Sequence, residues 1–459
     1  MRKTLVSSLM IICLLVLAAC GTPAAPTTSG ASPAAAEASV AAEPSTAAAP
    51  SPVAEASAAA STAAQPASGS ATTLRIALVD YKDEHKTWLE QEVIPEFQKT
   101  HAGVAVEPIY LNWGTLNETY AGYFASGDGP DILNLGSEFG PEYGDRLLPL
   151  NQYLKEWPDL QQYIDAPLQT VTWKDELRGL PWLVMPRVYM CRTDYLQEGK
   201  VSGVPQTFTQ AVEQAKATTV VKDNKLERAG IWTIGTDLQD WQEYLQFIWA
   251  AGGELYNADG TPTFDSPQAK AALQFMHDRR RAVLPDETVA ALGEAQGSRL
   301  ATGEVACLWA NAWGAPALDD PNWSKIEMGP SPYPDGGKPV VQVFTDWLGI
   351  PQYTKNPELA VDFLKLLGSK ENQSKYNELF GSFSPRKDAA IESPIMQKQA
   401  DLMAEYGRAF GDVRVAPKLQ EILQAELPLY LQDNQDIDTT LQNIQDQYTQ
   451  ALKDAGRIQ

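Results

Sequence analysis

ASGDGPDILNLGSEF, residues 125–139, passes from helix to buried strand to exposed loop within a few residues. Just upstream, Leu116, Tyr120, Tyr123 and Phe124 fall at i, i+4, i+7 and i+8, one face of a helix. Gly127, Gly129 and Pro130 predict its end, because the residue past the last turn must escape Cβ strain and a proline cannot continue the helix. Ile132-Leu133-Asn134-Leu135 then forms a short apolar run, which directly after a helix predicts a parallel strand covered on both faces. Ser137 and Glu138 lie just past its carboxyl end. In an open α/β sheet that is the side on which ligands are met, so these two polar residues are the first site candidates, against the plain reading as ordinary loop residues.

Outward from this stretch the arrangement repeats. Residues 74–79 predict a first strand, ending in the polar cluster Asp80, Tyr81, Lys82 and Asp83. Trp88, Leu89, Val93, Ile94 and Phe97 make an apolar helical stripe in which Pro95 predicts a kink. Residues 104–111 predict a second strand, with Asn112, Trp113 and Gly114 at its carboxyl end, and 131–135 a third. Strand, helix, strand, helix, strand, with polar and aromatic residues after each strand, is the pattern of a doubly wound α/β lobe. Residues 171–182 read as a hairpin with Lys174, Asp175 and Glu176 at its tip, and the chain crosses from one sheet to another near 181–187. Beyond it, 205–218 and 241–251 predict helices, and Ser266-Pro267 caps another whose Arg279, Arg280 and Arg281 suit the dipole at its C-terminal end. A strand at 305–308 is followed by Trp309, Asn311 and Trp313; strand segments at 339–344 and 348–350 flank Thr345, Asp346 and Trp347.

At 459 residues the chain exceeds one ordinary core, so two or more packed units are expected. Lys+Arg 36 against Asp+Glu 58 gives a net charge of −22, a field that repels phosphate backbones and makes nucleic acid a poor partner class. Arg2-Lys3 and the apolar run at 9–17 predict a secretory signal over 1–19, too short to remain as a span. Leu17-Ala18-Ala19-Cys20-Gly21 resembles a bacterial lipobox, which implies lipidation at Cys20 and a location in the cell envelope, tethered to a membrane. The Ala/Pro/Ser/Thr-rich segment up to residue 72 is too poor in large apolar residues to fold and predicts a disordered stalk spanning about 40 Å.

Enzyme signatures are weak. A glycosidase needs a pair of carboxylates, and no segment singles one out. His85, His101 and His277 lack metal-ligand spacing and read as surface or capping residues; residues 381–384 are not a nucleophile elbow; Asn257-Ala258-Asp259-Gly260 lacks the ligand set of a calcium loop and reads as a turn. No catalytic residue, metal or cofactor is expected. Cys191 and Cys307 each fall in an apolar strand and read as buried small hydrophobes; an oxidising compartment would let them pair if the strands are neighbours, which the sequence leaves open.

Together with the lipobox and stalk, SGDGPDIL (126–133), RGLPW (178–182), AAGGELYNADG (250–260), TGEVACLWANAW (302–313), LGIP (348–351), NPELAVDFLKLL (356–367) and SPRKDA (384–389) resemble the extracellular solute-binding proteins of bacterial ABC importers, the family that includes sugar-binding proteins. The resemblance implies a two-lobed α/β periplasmic-binding-protein fold, each lobe a mainly parallel sheet flanked by helices and joined by hinge crossovers. It divides the chain into 73–183 (lobe 1), 184–327 (lobe 2), 328–390 (return to lobe 1) and 391–459 (C-terminal helices, mainly lobe 2). It implies a carbohydrate in the cleft, delivery to an ABC permease, and a monomer. Glu138 falls where a sugar-hydroxyl carboxylate follows the PDI strand, Asp83 near a hydroxyl acceptor, Trp313 at an aromatic platform and Trp347 in a cleft-lining segment. The chain departs from the maltose-binding pattern at Leu135 and Arg192.

A sugar offers hydroxyls and C–H faces, so its site needs acceptors, donors and flat aromatic surfaces. Tyr81, Asp83, Asn112, Trp113, Glu138, Trp182, Trp241, Trp313, Asp346 and Trp347 are the resulting candidates, some of the tryptophans being expected in the core instead. A lipid-anchored glycosidase, or a binder of a polyol or other non-sugar solute, is the alternative.

Overall fold

A computed structural model describes residues 72–232, 240–285, 291–292, 298–310, 320–389, 391, 393–411 and 413–459. The expected leader, Cys20, Trp313 and the stalk lie outside the described residues, except Thr72, which was expected in the stalk and instead opens the first strand, paired with Val104. In chain order the strands are β1 (Thr72–Val79), β2 (Val104–Leu111), β3 (Ile132–Leu135), β4 (Thr172–Trp173), β5 (Glu176–Leu177), β6 (Gly179–Arg192), β7 (Val220–Lys222), β8 (Lys225–Arg228), β9 (Cys307–Ala310), β10 (Ile326–Gly329), β11 (Val341–Gly349) and β12 (Gly407–Ala409).

The opening stretch folds as read. Helix Trp113–Ser126 buries Leu116 and Tyr120 and ends at Gly127, whose φ of 66° is the left-handed conformation that closes a helix without Cβ strain. All four residues of β3 are buried, and the Tyr120 hydroxyl donates to the Asn134 carbonyl at 2.7 Å, tying helix to strand. β1 pairs in parallel with β2 and with β3, so the three carboxyl ends emerge on one side. β11 then runs antiparallel to β3 and to β6, and the path reads β10-β6-β11-β3-β1-β2, with β9 on β6 and β12 on β11.

β6 is the long connector. Its residues from Gly179 to Arg187 pair with β11, while those from Val188 to Cys191 pair with β9 and from Tyr189 to Arg192 with β10. The change of partners falls at Arg187 and Val188, at the edge of the crossing expected near 181–187. Two prolines inside a buried strand would ordinarily argue against it. Pro181 is accommodated next to a register shift, and Pro186 lies just before the strand leaves β11. Cys191 and Cys307 stand opposite each other on β6 and β9 and are joined as a disulfide, which closes the question the sequence left open.

The hairpin of β4 and β5 turns through Lys174 and Asp175, both at positive φ (52° and 62°), as a two-residue hairpin loop requires. Helices Ala416–Leu431 and Ile437–Asp454 pack on each other and on Pro267–Val283, whereas Lys370–Phe380 packs on Asp83–Trp88. Ser266 caps Pro267–Val283 as read, accepting from the Ala269 N–H at 3.2 Å.

Two local expectations change, and one is specified: at Pro95, where a kink was expected, a π-helical turn at Leu89–Val93 leads without a break into helix Ile94–Thr100, whose second residue is the proline. His85 is buried, not a surface residue, with its ring packed against both Tyr376 and Phe380. Arg279 does more than suit a dipole; fully buried, it pairs with Glu243 through both terminal nitrogens.

Candidate functional site

β1, β2 and β3 each hand over to polar or aromatic residues on the same side: Tyr81 after β1, Asn112 and Trp113 after β2, Ser137 and Glu138 after β3. β11 contributes Asp346 from the opposite direction. The Tyr81 hydroxyl donates to Asp346, and the Trp113 Nε1–H donates to the Tyr81 oxygen at 3.1 Å. From below, Asn134 Nδ2 donates to Asp346 at 3.3 Å, and the Trp182 Nε1–H donates to Asn134 Oδ1 at 3.1 Å. Aromatic and amide donors thus converge, directly or through one residue, on a single buried carboxyl.

Asp346 is aimed by backbone geometry. The β11–β6 register shifts between Asp346 and Trp347: Leu183 faces Asp346, Pro181 faces Trp347, and Trp182 is left as the extra residue of a bulge. A bulge turns side chains out of the regular alternation, and here it serves both Asp346 and Trp182. Ser137 pins the facing loop, accepting from the Thr345 N–H at 2.7 Å and donating to the Thr345 carbonyl at 3.1 Å.

Glu138 and Trp113 flank one point. A Cβ placed on Gly136 would lie 2.7 Å from Glu138 Oε2 and 3.0 Å from Trp113 Cη2, so glycine is what lets carboxylate and indole edge approach the same space. Trp113 stacks on Phe139 at 6.3 Å and 9° and remains 38% exposed. Asn112 holds it there as N-cap, accepting from the Thr115 N–H at 3.1 Å. Arg187 lies over Phe344 at 4.0 Å and Trp309 at 4.7 Å.

Burial pushes the Asp346 carboxyl up to about 7 against the lowering effect of the Tyr81 and Asn134 hydrogen bonds, and the charge of Glu138 raises it further. Burial likewise raises Glu138, opposed by a backbone hydrogen bond and by the Arg187 guanidinium. Burial and the neighbouring Asp346 raise the Tyr81 phenol, so it stays a donor.

The structure therefore brings together Tyr81, Asn112, Trp113, Glu138 and Asp346. Trp182 lies beneath them, buried and stacked on Tyr376 at 4.0 Å. Trp347 is fully buried and braces the loop by donating to the Gly136 carbonyl at 2.7 Å. Two candidates are not brought in. Trp241 packs in the core, edge-on to Phe410 at 5.5 Å, and the Asp83 side chain, 93% exposed, pairs with Lys86 in its own helix at 3.1 Å. Asn134, Arg187 and Tyr376 had not been singled out. An amide inside ILNL and a lone arginine inside the apolar run of β6 were available signals, whereas nothing local marks Tyr376. Among the described residues no group of histidine, cysteine, aspartate and glutamate could hold a metal ion, and no helix is long and apolar enough to cross a membrane.

The cluster offers hydrogen-bond acceptors, donors and one accessible indole beyond the carboxyl ends of parallel strands, an arrangement suited to gripping a polar solute. The model of the bacterial extracellular solute-binding proteins matches residues 82–374, and the chain belongs to that family. Its relatives include a probable amino-acid ABC transporter periplasmic-binding protein of Sinorhizobium fredii, 22% identical over 343 residues that make up 72% of this chain and 77% of the relative. A probable ABC transporter-binding protein of Deinococcus radiodurans is 24% identical over 56% of this chain and 64% of its own. Among solved structures, a solute-binding protein of Thermotoga lettingae bound with α-D-tagatose is similar at a TM-score of 0.67 and 22% identity, covering 82% of this chain and 99% of its own. One from Agrobacterium radiobacter in complex with ribitol gives 0.68 and 20%, covering 83% and 98%. The chain is thus an ABC transporter solute-binding protein with the fold of these neighbours.

Proposed function

We propose that this protein captures an uncharged polyhydroxylated solute, a carbohydrate or a polyol, and passes it unaltered to a membrane permease. The carrying observation is the chain of bonds Trp113–Tyr81–Asp346–Asn134–Trp182 beside Glu138. Carboxyls and phenol meet hydroxyls, and the exposed indole meets a C–H face. The sugar and polyol complexes of the neighbours support the solute class without choosing between its members. Lipidation at Cys20, a stalk up to residue 72, and two lobes divided at about 183 and 327 complete the proposal: a tethered domain that closes on its solute about β6 and β11.

The test is thermal stabilisation of the stalk-free protein by a panel containing maltose, ribitol and D-tagatose, with product analysis in the same tubes. Stabilisation without turnover is expected, since a ligand selective for the folded state raises its stability by mass action. Turnover of any panel member refutes the reading. Trp113→Ala should weaken binding of the stabilising solute by about tenfold while leaving the melting temperature of the free protein nearly unchanged, because the indole is exposed; an unaltered dissociation constant removes Trp113 from the site.

A further inference from the structure

Helix Ile437–Asp454 ends in a double hydrogen-bonded cap. Gly456 takes a φ of 65°, its N–H donates to the Lys453 carbonyl at 2.9 Å, and the Arg457 N–H donates to the Leu452 carbonyl at 2.8 Å. The motif fixes the direction in which Arg457 leaves the helix. Its Nη2 donates to the Pro141 carbonyl at 2.7 Å, and its guanidinium lies 6.0 Å from the centre of the Trp173 ring. Trp173 is itself held: its indole N–H donates to Asp145 at 3.0 Å, and it lies so close to Gly144 that a Cβ there would be 2.5 Å from its Cγ. A cavity of about 240 Å³ is lined by Pro141, Trp173, Arg414 and Arg457.

The two sides of this contact belong to different parts of the fold. Arg457 follows a helix packed on Ala416–Leu431 and Pro267–Val283, whereas Pro141 lies in helix Phe139–Tyr143, which begins directly after Glu138. In the same conformation Glu138 lies close enough to Arg187 to feel its charge, and Arg187 covers Trp309 of β9. Arg187 of the connector thus stands near Glu138, which follows β3, and over Trp309 of β9 in one conformation. We propose that Arg457 is a clasp: by holding the helix that starts at Glu138 against the C-terminal helix pair, it favours the closed arrangement of the solute site. This rests on the reading above that the protein closes on its solute. Arg457 would act through Glu138 and its helix, as a positioning residue.

The experiment compares wild type, Arg457→Ala and Arg457→Lys, each with the stalk removed, by small-angle scattering of the free protein and by stopped-flow dissociation of the panel solute that stabilises the wild type. Loss of a charge-assisted hydrogen bond predicts dissociation about tenfold faster in Arg457→Ala and an increased radius of gyration in the free protein, with Arg457→Lys, which keeps one donor, between the two. An unchanged radius together with an unchanged dissociation rate overturns the clasp. So does a lowered melting temperature with neither change, which would mark Arg457 as a helix-end stabiliser alone. If no panel solute binds the wild type, the proposed function falls, and scattering of the free variants still decides the clasp.

Discussion

Asp346→Asn isolates the electrostatics at the base of the site. The carboxyl is 3% exposed, and its pKa is raised from an ordinary 3.8 to about 7. Because the folded protein holds this proton more tightly than the unfolded chain does, ionisation of Asp346 opposes folding. Its stabilising contribution is complete below about pH 4 and is lost as pH rises through about 7. Across the whole range the loss is roughly 4 kcal/mol, and between about pH 5 and pH 8 roughly 2.5 kcal/mol. Asparagine keeps an acceptor for the Tyr81 hydroxyl and cannot titrate. Denaturant unfolding of both proteins at several pH values within that window gives the difference in stability at each. The offset at low pH reports the changed hydrogen bonding of the amide; the slope reports the proton. Relative to wild type the variant should gain roughly 2.5 kcal/mol across the window, groups not coupled to Asp346 cancelling in the comparison. A difference flat to within about 0.5 kcal/mol would refute the reasoning, since the carboxyl would then titrate alike in the folded and unfolded chains.

Two further outcomes concern stability alone. Replacing Cys191 and Cys307 by alanine releases a cross-link between residues separated by 116 positions and should lower unfolding free energy by about 2–5 kcal/mol, read from the denaturant midpoint; a loss below about 1 kcal/mol would count against its structural role. Glu243→Gln removes the carboxylate bonded to both terminal nitrogens of the buried Arg279 and should cost about 3–5 kcal/mol, whereas the double change to Glu243→Leu and Arg279→Met should cost much less; equal losses in the two would mean that packing volume, not charge, sets the penalty.

Much of the framework could be read from local pattern. The helix before Gly127, the buried ILNL strand, two of the three expected hairpin-tip residues (Lys174 and Asp175, with Glu176 falling in β5), and the Ser266 cap each depend on a residue's own backbone preferences or on a periodicity of a few residues, which the chain carries with it. Tyr81, Trp113 and Glu138 could be nominated for the same reason: they lie at strand ends, and strand ends are visible in the pattern. Tryptophan was a poorer guide. A large aromatic suits a core and a binding surface equally well, and only packing separates exposed Trp113 from Trp347, fully buried against Gly136.

Other features belong to pairs distant in sequence. Asn134 and Asp346 meet because β3 lies beside β11, and the bulge that leaves Trp182 unpaired beneath the site exists only once β6 pairs with β11. Arg279 found Glu243, Cys191 found Cys307, and Arg457 found Pro141 across gaps that no local preference spans. Residue types and their spacing thus carried the strands, the turns and the side on which a solute is met. Which side chains share that space, with what charge and in what register, followed from strand order and burial, because those interactions come into being only when the sheet has assembled.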